Sequence, residues 1–302
     1  MKIAAVIIGQ HEEELIGRML ESVKDLDAIF FTYTGDPNEP DGTLDIVRKY
    51  TDKISYFRWC DDFAAARNAA KAQVPPEYEW CLSIDCDEIL QDVSAVREAV
   101  ALGAARNAFS IDTKLIAEHR PNEWFWFPRL YRNAPNVAWE SPIHNVLNVP
   151  SEKVGNVRIT VGYSPAHNMD PDRAFRILKK DVETRFHPRS MFYLGREYWY
   201  RKDFENTVIT LGKYVVNSQF LAEKAEAFLI MARSYWAMGM PDDARDACVQ
   251  ALICNANFKE ACEFMAILAG EGSGNPRWEE NARQWREMAK TATNDDVLFV
   301  RT

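Results

Sequence analysis

The N-terminal part of the chain alternates short apolar runs with segments of helical spacing. Residues 3–8, 28–32 and 54–57 are apolar runs of the length typical of strands buried on both faces of a sheet. Helical patterns fill both intervals, and we expect the acidic residues 12–14 to lie in the first turn of the first helix. This β-α-β-α-β order predicts an α/β fold built on a mostly parallel, doubly wound sheet.

Three carboxylates follow a further apolar run at residues 80–84. Asp85, Asp87 and Glu88 come directly after it, and an extended backbone would place Asp85 and Asp87 on one side, where both could contact a divalent cation. Two acids at this spacing also occur by chance at the solvated end of a strand. Their position favours a site, because ligands of open parallel sheets bind beyond the carboxyl ends of the strands.

In the second half of the chain, strand patterns stop and helical patterns dominate. We predict one amphipathic helix and two helical hairpins, at residues 173–186, 190–217 and 222–255. The pair Tyr198-Trp199 recurs as Tyr235-Trp236, and the separation of 37 residues (235 − 198) is close to the tetratricopeptide period of about 34. The chain therefore divides into an α/β domain at residues 1–170 and an all-α helical-repeat domain at residues 171–302.

The composition argues against several classes of protein. The chain has 302 residues with 47% hydrophobic content, enough to fill a core, and its formal net charge of −9 argues against general electrostatic binding to nucleic acid or anionic membranes. No apolar run approaches the roughly 20 residues of a membrane span. The six cysteines include no CxxC pair, which favours a reducing compartment, and we expect a cytoplasmic protein.

The order of motifs resembles that of family 2 glycosyltransferases of the GT-A fold that carry C-terminal tetratricopeptide-like repeats, a group that includes peptide S-glycosyltransferases. The resemblance spans nearly the whole chain, and its most specific part is the block DDFAAARN followed by the block DCDE. The residues that carry the resemblance are Ile7-Ile8, Glu12, Leu20-Glu21-Ser22-Val23, Thr34-Gly35, Asp41-Gly42-Thr43, Trp59, 61–68, Trp80, 85–88, Arg129-Leu130-Tyr131-Arg132, His144 and Phe192-Tyr193-Leu194-Gly195.

The resemblance implies transfer of a sugar from a nucleoside-diphosphate sugar, most often a UDP-sugar, with Mn²⁺ or Mg²⁺ as cofactor. A divalent cation would neutralise the charge that develops on the leaving diphosphate. By resemblance, Asp87 is the direct metal ligand and Asp85 lies nearer the ribose or binds through water. His144 would be a third metal ligand, although a single histidine is more often a structural hydrogen-bonding residue.

Further nucleotide contacts follow from the same resemblance. Asp61 or Asp62 would accept a hydrogen bond from the base, and Arg67 would contact the diphosphate, for which its charge and fork geometry are suited. The alternative for Arg67 is a salt bridge with one of these two aspartates. The other implied contacts to the nucleotide are Ile8, Glu12 and Tyr33.

An inverting transfer also needs a general base close to the acceptor. Glu140 is the best-placed candidate by its order along the chain, and it joins Asp87 as a predicted catalytic residue. Asp112 and Glu123 are its rivals.

Three positions depart from the family pattern. His11 stands where the family commonly has Asn, Tyr33 stands where an acid is usual, and Asn145 stands where Glu often follows the histidine. These departures affect the expected nucleotide base more than the expected type of reaction.

The acceptor stays open between a protein or peptide, a glycan and a modified nucleic-acid base. Between residues 172 and 202 the chain has nine basic and four acidic residues, a local charge of +5 (9 − 4), which motivates a nucleic-acid acceptor. A solvated helix face is the simpler interpretation of that charge. A further alternative is a catalytically silent scaffold whose repeats bind a protein partner.

Overall fold

A computed structural model of the chain describes residues 1–103, 110–117, 120–185, 187–270 and 274–292. Contacts between residues divide the chain into two compact units, Met1–Arg173 and Ala174–Thr302. The first unit therefore ends three residues after the boundary predicted at residue 170.

The first unit contains one large mixed sheet, in which eight strands pair among the described residues. The strands are β1 Lys2–Gly9, β2 Ala28–Tyr33, β3 Ile54–Tyr56, β4 Tyr78–Ser83, β5 Glu88–Leu90, β6 Ser110–Ala117, β7 Arg120–Arg132 and β10 Ser151–Val161, with a separate hairpin of β8 Trp139–Glu140 and β9 Val146–Leu147. The order across the sheet is β3-β2-β1-β4-β7-β6-β10-β5. Strands β3, β2, β1 and β4 are parallel, and β7 is antiparallel to β4.

Helices pack against both faces of this sheet. They are α1 Ile16–Val23, α2 Thr43–Val47, α3 Phe63–Ala72 and α4 Val93–Leu102, with α4 on β10. On β1, Ile3 and Ile7 belong to the core cluster that contains α1, whereas Ala4 and Val6 belong to the cluster that contains Ala64 of α3. A strand that is buried on both faces explains the unbroken apolar run, and the predicted α/β fold with a mostly parallel sheet is confirmed.

The second unit is helical. Its helices are α5 Arg173–Thr184, whose first residue still belongs to the first unit, α6 Pro188–Tyr200, α7 Phe204–Asn217, α8 Leu221–Ala237, α9 Pro241–Cys254, α10 Lys259–Leu268 and α11 Pro276–Thr291. Short connections make α6–α7, α8–α9 and α10–α11 helical hairpins, and the helices of each pair contact one another. The predicted hairpins are therefore present, while Phe186, the predicted end of the first helix, lies outside the described residues.

The local structure differs from expectation at two places. Helix α1 begins at Ile16 and has no acid in its first turn, so residues 12–14 precede the helix. Strand β4 ends at Ser83, and Asp85 and Asp87 lie in the turn before β5 instead of on an extended strand. Among the described residues, we find no helix that combines the length and apolarity required to cross a membrane.

Candidate functional site

The predicted site residues gather where the parallel strands end. The loops that follow β1, β2, β3 and β4 leave the same edge of the sheet, because these four strands are parallel. Asp85 follows β4, which lies between β1 and β7 near the middle of the sheet. This edge is the usual ligand position in open parallel sheets.

Asp85 is held by two arginines. Arg67 Nη2 of α3 donates to its Oδ1 atom at 2.7 Å, and Arg129 Nη2 of β7 donates to its Oδ2 atom at 2.8 Å. Burial disfavours the ionised carboxylate, but the two guanidinium groups, Arg129 foremost, outweigh burial and hold the pKa of Asp85 well below its usual range. Asp85 is therefore an ionised member of a partly buried polar network.

Glu88 is the most buried member of this network. It is 1% exposed, accepts a hydrogen bond from the backbone N–H of Asp85 at 2.9 Å, and pairs with the guanidinium of Arg129. Burial raises the pKa of Glu88 to about 7, although Arg129 favours the ionised form. The two acids thus share one arginine.

Arg67 also contacts the end of β4 and the β8–β9 hairpin. Its Nη1 atom donates to Ser83 Oγ at 2.8 Å and its Nε atom donates to Asn145 Oδ1 at 3.1 Å, while the guanidinium lies 5.3 Å from the centre of the Trp139 ring. The alternative prediction was a salt bridge from Arg67 to Asp61 or Asp62. Arg67 does form a salt bridge, but its partner is Asp85.

The two aspartates before α3 have different local roles. Asp62 caps the helix by accepting a hydrogen bond from Ala65 N at 2.9 Å. Asp61 accepts from Trp59 Nε1 at 3.0 Å and has a left-handed backbone with φ of +60°. Both carboxylates lie at this edge of the sheet, and their contact with a base stays a prediction.

The β8–β9 hairpin is fastened to α3. Asn68 Nδ2 donates to the carbonyl of Trp139 at 2.9 Å, and Trp139 N donates back to Asn68 Oδ1 at 2.8 Å. The connecting loop holds His144, which is exposed and left-handed (φ +51°), and Glu140 is exposed on β8. The loop is close to Asp85 through Arg67 and Asn145, yet no group of three His, Cys, Asp or Glu side chains suited to a metal ion occurs among the described residues.

Asp87 lies on the other side of the turn, against a cavity. A cavity of about 260 Å³ is lined by Leu15, Arg18, Cys86, Asp87, Glu88, Ile89, Gly162 and Tyr163. Glu12 accepts a hydrogen bond from Ser164 Oγ at 2.6 Å. Burial raises the pKa of Glu12 to about 7, and the charges of Asp87 and Asp85 contribute to the rise. Three carboxylates therefore influence one another at this edge.

Two predicted nucleotide contacts face into the protein. The carbonyl of Ile8 is 3.4 Å from the thiol of Cys86, and the Ile8 side chain packs against the apolar cluster on the α3 face. Tyr33 is 1% exposed at the end of β2, beneath Gly35, where an added Cβ would approach its ring to 2.5 Å. Tyr33 thus packs beneath the loop after β2, and its contact with a nucleotide stays untested.

Several residues of the network were given no role from sequence. Arg129 pairs with Asp85, Asn68 bonds the backbone of Trp139, and Ser164 bonds Glu12. Only Arg129 has a clear signal in the sequence, because a charge between Pro128 and Leu130 in an apolar strand requires a buried partner. Of the rivals for the general base, Asp112 and Glu123 have side chains that lie outside the described part of the structure.

Comparison with known proteins gives partial similarities. No protein-family model matches the sequence. The chain is 29% identical over 171 residues to a TPR repeat-containing protein of Synechococcus elongatus, a match that covers 54% of this chain and 41% of the relative. The chain thus spans less than half the length of that relative.

The chain also aligns with several solved structures, with TM-scores below 0.5. S. aureus TarS aligns with a TM-score of 0.43 and 13% identity, over 97% of this chain and 92% of that one. MamA aligns with a TM-score of 0.37 and 19% identity, over 43% of this chain and 72% of that one. A 4-diphosphocytidyl-2C-methyl-D-erythritol synthase of Anaerococcus prevotii aligns with a TM-score of 0.32 and 17% identity, over 44% of this chain and 70% of that one.

Proposed function

We propose that this chain is a metal-dependent, inverting glycosyltransferase that moves a sugar from a nucleoside-diphosphate sugar, with a UDP-sugar as the expected donor. The observation that carries the proposal is the arrangement of Asp85 between Arg67 and Arg129 at the carboxyl end of β4. Together with Asp87 in the same turn, it provides both a cationic group for a diphosphate and a carboxylate for a cation.

The roles of the acidic residues follow from their contacts. Both oxygens of Asp85 bind arginines, so we assign Asp87 as the direct metal ligand and place Asp85 near the ribose or behind a water. Asp87 lines the cavity, and its hard carboxylate oxygens suit Mn²⁺ or Mg²⁺. His144 is the proposed third ligand from the neighbouring loop. Such an ion, when bound, neutralises charge on the leaving diphosphate.

The residues of the chain supply the remaining functions in this proposal. Arg67 binds the diphosphate, and Asp61 or Asp62 accepts a hydrogen bond from the base. Glu140, exposed on β8, removes the proton from the acceptor as its sugar bond forms. The β8–β9 hairpin is held against α3 by Asn68, which keeps the proposed base close to the donor residues.

The helical unit is proposed to bind the acceptor or a protein partner. Helical repeats bury a continuous core between neighbouring hairpins and leave extended surfaces for binding. The TPR repeat-containing relative supports this role for the second unit.

A second candidate is a scaffold without transferase activity. It is favoured by the finding that no three metal-binding side chains are assembled among the described residues. In that case the α/β unit would bind no nucleotide in a metal-dependent way, and the repeats alone would carry the function.

Hydrolysis of nucleotide sugars tests the two candidates. The wild type, Asp87→Ala and Asp52→Ala would be incubated with a panel of nucleotide sugars and Mn²⁺. Asp52 is the control because its side chain is 94% exposed and it lies before β3, at the opposite edge of the sheet from the strand ends that carry the site. We expect turnover of at least one donor by the wild type and the control, and its loss in Asp87→Ala. Equal turnover by all three would refute the metal assignment, and no metal-dependent nucleotide binding would favour the scaffold.

A further inference from the structure

The two arginines that hold Asp85 have different second partners. Arg129 is anchored by another acid, because its Nη2 atom also pairs with Glu88. Arg67 has neutral additional partners, the hydroxyl of Ser83 and the amide oxygen of Asn145. Asp85 is thus shared between one arginine with two acidic contacts and one arginine with a single acidic contact.

The exposure of the four side chains follows the same order. Glu88 and Arg129 are 2% and 7% exposed, Arg67 is 11% exposed, and Asp85 is 32% exposed. The pair of Arg129 and Glu88 therefore forms the closed base of the network. Arg67 lies toward the outer side, at the second turn of α3, with its guanidinium against the face of Trp139.

If the Arg67 guanidinium moved from Asp85 to another anion, Asp85 would still have a cationic partner. The Oδ2 atom of Asp85 keeps its bond to Arg129, and the backbone N–H of Asp85 keeps its bond to Glu88. Loss of its only cation would disfavour a carboxylate that is two-thirds buried, so an arginine that can change partners needs a second, stationary arginine beside the same carboxylate. The aromatic face of Trp139 would stabilise the cation during the change.

We propose that Arg129 is a positioning residue that holds the Asp85 side chain in place while Arg67 moves from Asp85 to the diphosphate of the donor. This inference rests on the proposed function. It assigns the two arginines different tasks, since Arg67 contacts the ligand and Arg129 acts only through Asp85. Glu88 has the further task of fixing Arg129.

Arginine-detected NMR of the wild type tests the exchange directly. Guanidinium signals would be assigned with Arg67→Lys and Arg129→Lys and followed during titration with UDP and Mg²⁺. We expect the Arg67 signals to shift while those of Arg129 stay in place. UDP binding that shifts both sets, shifts only Arg129, or shifts neither would overturn the inference and leave the proposed function standing.

A double-mutant cycle on UDP affinity tests the positioning role. We expect Arg129→Lys to weaken UDP binding at least tenfold in the wild-type background and less than twofold in the Asp85→Asn background, because no carboxylate is left to be held. Arg132→Lys is the matched control, since Arg132 lies on the same strand and contacts Glu79 and the ring of Trp80. Its UDP affinity should stay within twofold of the wild type.

The remaining outcomes are also decisive. A loss of thermal stability in Arg129→Lys without loss of UDP affinity would show a purely structural role and overturn the inference. If Arg129→Lys fails to fold, the NMR titration still decides through the Arg67 signals, which Arg67→Lys assigns by itself: Arg67 signals that do not shift when UDP binds would overturn the inference. If the wild type binds no nucleotide with Mg²⁺, the proposed function fails and this inference fails with it.

Discussion

Tyr33 and Asp41 exchange two hydrogen bonds across the loop that follows β2. The phenol of Tyr33 donates to Asp41 Oδ2 at 3.0 Å, and the backbone N–H of Asp41 donates to the phenol oxygen at 3.1 Å. The same carboxylate accepts from His11 N at 2.7 Å and from Thr43 N at 2.8 Å. The tyrosine that replaces the expected acid therefore fastens an aspartate eight residues later, and that aspartate joins the loops after β1 and β2.

Replacement of Tyr33 by Phe should destabilise the first unit. Both hydrogen bonds would be lost while the ring still fills its site beneath Gly35, so we expect a loss of about 1–3 kcal/mol in the free energy of unfolding. Urea unfolding measures it, with Tyr56→Phe as control because Tyr56 is 53% exposed and packs edge-on against Tyr33. Equal midpoints for wild type and Tyr33→Phe would contradict the proposed fastening of the loop.

Gly195 of α6 is required by the packing of α7. A Cβ atom at this position would lie 2.4 Å from Leu211 Cδ2 and 2.5 Å from Leu211 Cγ, and Leu211 is fully buried. We expect Gly195→Ala to cost about 1–3 kcal/mol, because a closely packed helix pair cannot take up the extra methyl group. Thermal unfolding of the purified chain measures the change.

Gly212 provides the matched control for that substitution. It lies in α7, and a Cβ atom there would meet nothing within 4 Å. Gly212→Ala should stabilise the chain by about 0.5–1 kcal/mol through helix propensity. A loss of stability for Gly212→Ala, or none for Gly195→Ala, would contradict the packing described for α6 and α7.

The spacing of apolar residues in the sequence predicts the strands and helices of the core, because a buried face requires apolar side chains at regular intervals. The unbroken apolar run at residues 3–8 matches a strand covered on both faces, and the spacing of Met19 and Val23 matches the buried face of α1. Strand β10 has a weaker signal, the alternation of Val157, Ile159 and Val161 with polar residues, and it was not predicted. A three-residue strand such as β5 has no periodicity to detect.

The role of a site residue could be predicted only where the type of its side chain indicates that role directly. The acids at positions 85 and 87 indicate a site from their place after a strand. The partner of Arg67 was not predictable, because Asp61 is near in sequence whereas Asp85 becomes near only when β4 pairs beside β1. The contribution of Arg129 likewise depends on the antiparallel pairing of β7 with β4, which the sequence does not specify.

Asn68 is expected to control how firmly the β8–β9 hairpin is held. Asn68→Asp keeps the acceptor for Trp139 N but loses the donor to the Trp139 carbonyl and sets a carboxylate against that carbonyl. We expect a loss of about 1–3 kcal/mol in stability. If the chain is a transferase, turnover should fall more than donor affinity, because Glu140 lies on this hairpin while Arg67 lies on α3. Unchanged stability and turnover would contradict the role of this contact, and Asn257→Asp in the exposed turn between α9 and α10 serves as control.

Glu12 should make the stability of the chain depend on pH near neutrality. Its pKa is about 7 in the folded protein and 4.5 in the absence of burial, so the folded state binds a proton more tightly between these values. Stability therefore falls as pH rises from about 4.5 to about 7 and levels off above that range. Glu12→Gln removes this titration and keeps a partner for Ser164, so urea midpoints between pH 5 and pH 8 should decline less than in the wild type. The exposed neighbour Glu14→Gln should retain the wild-type decline. Parallel pH profiles for wild type and Glu12→Gln would show that Glu12 is not the group responsible.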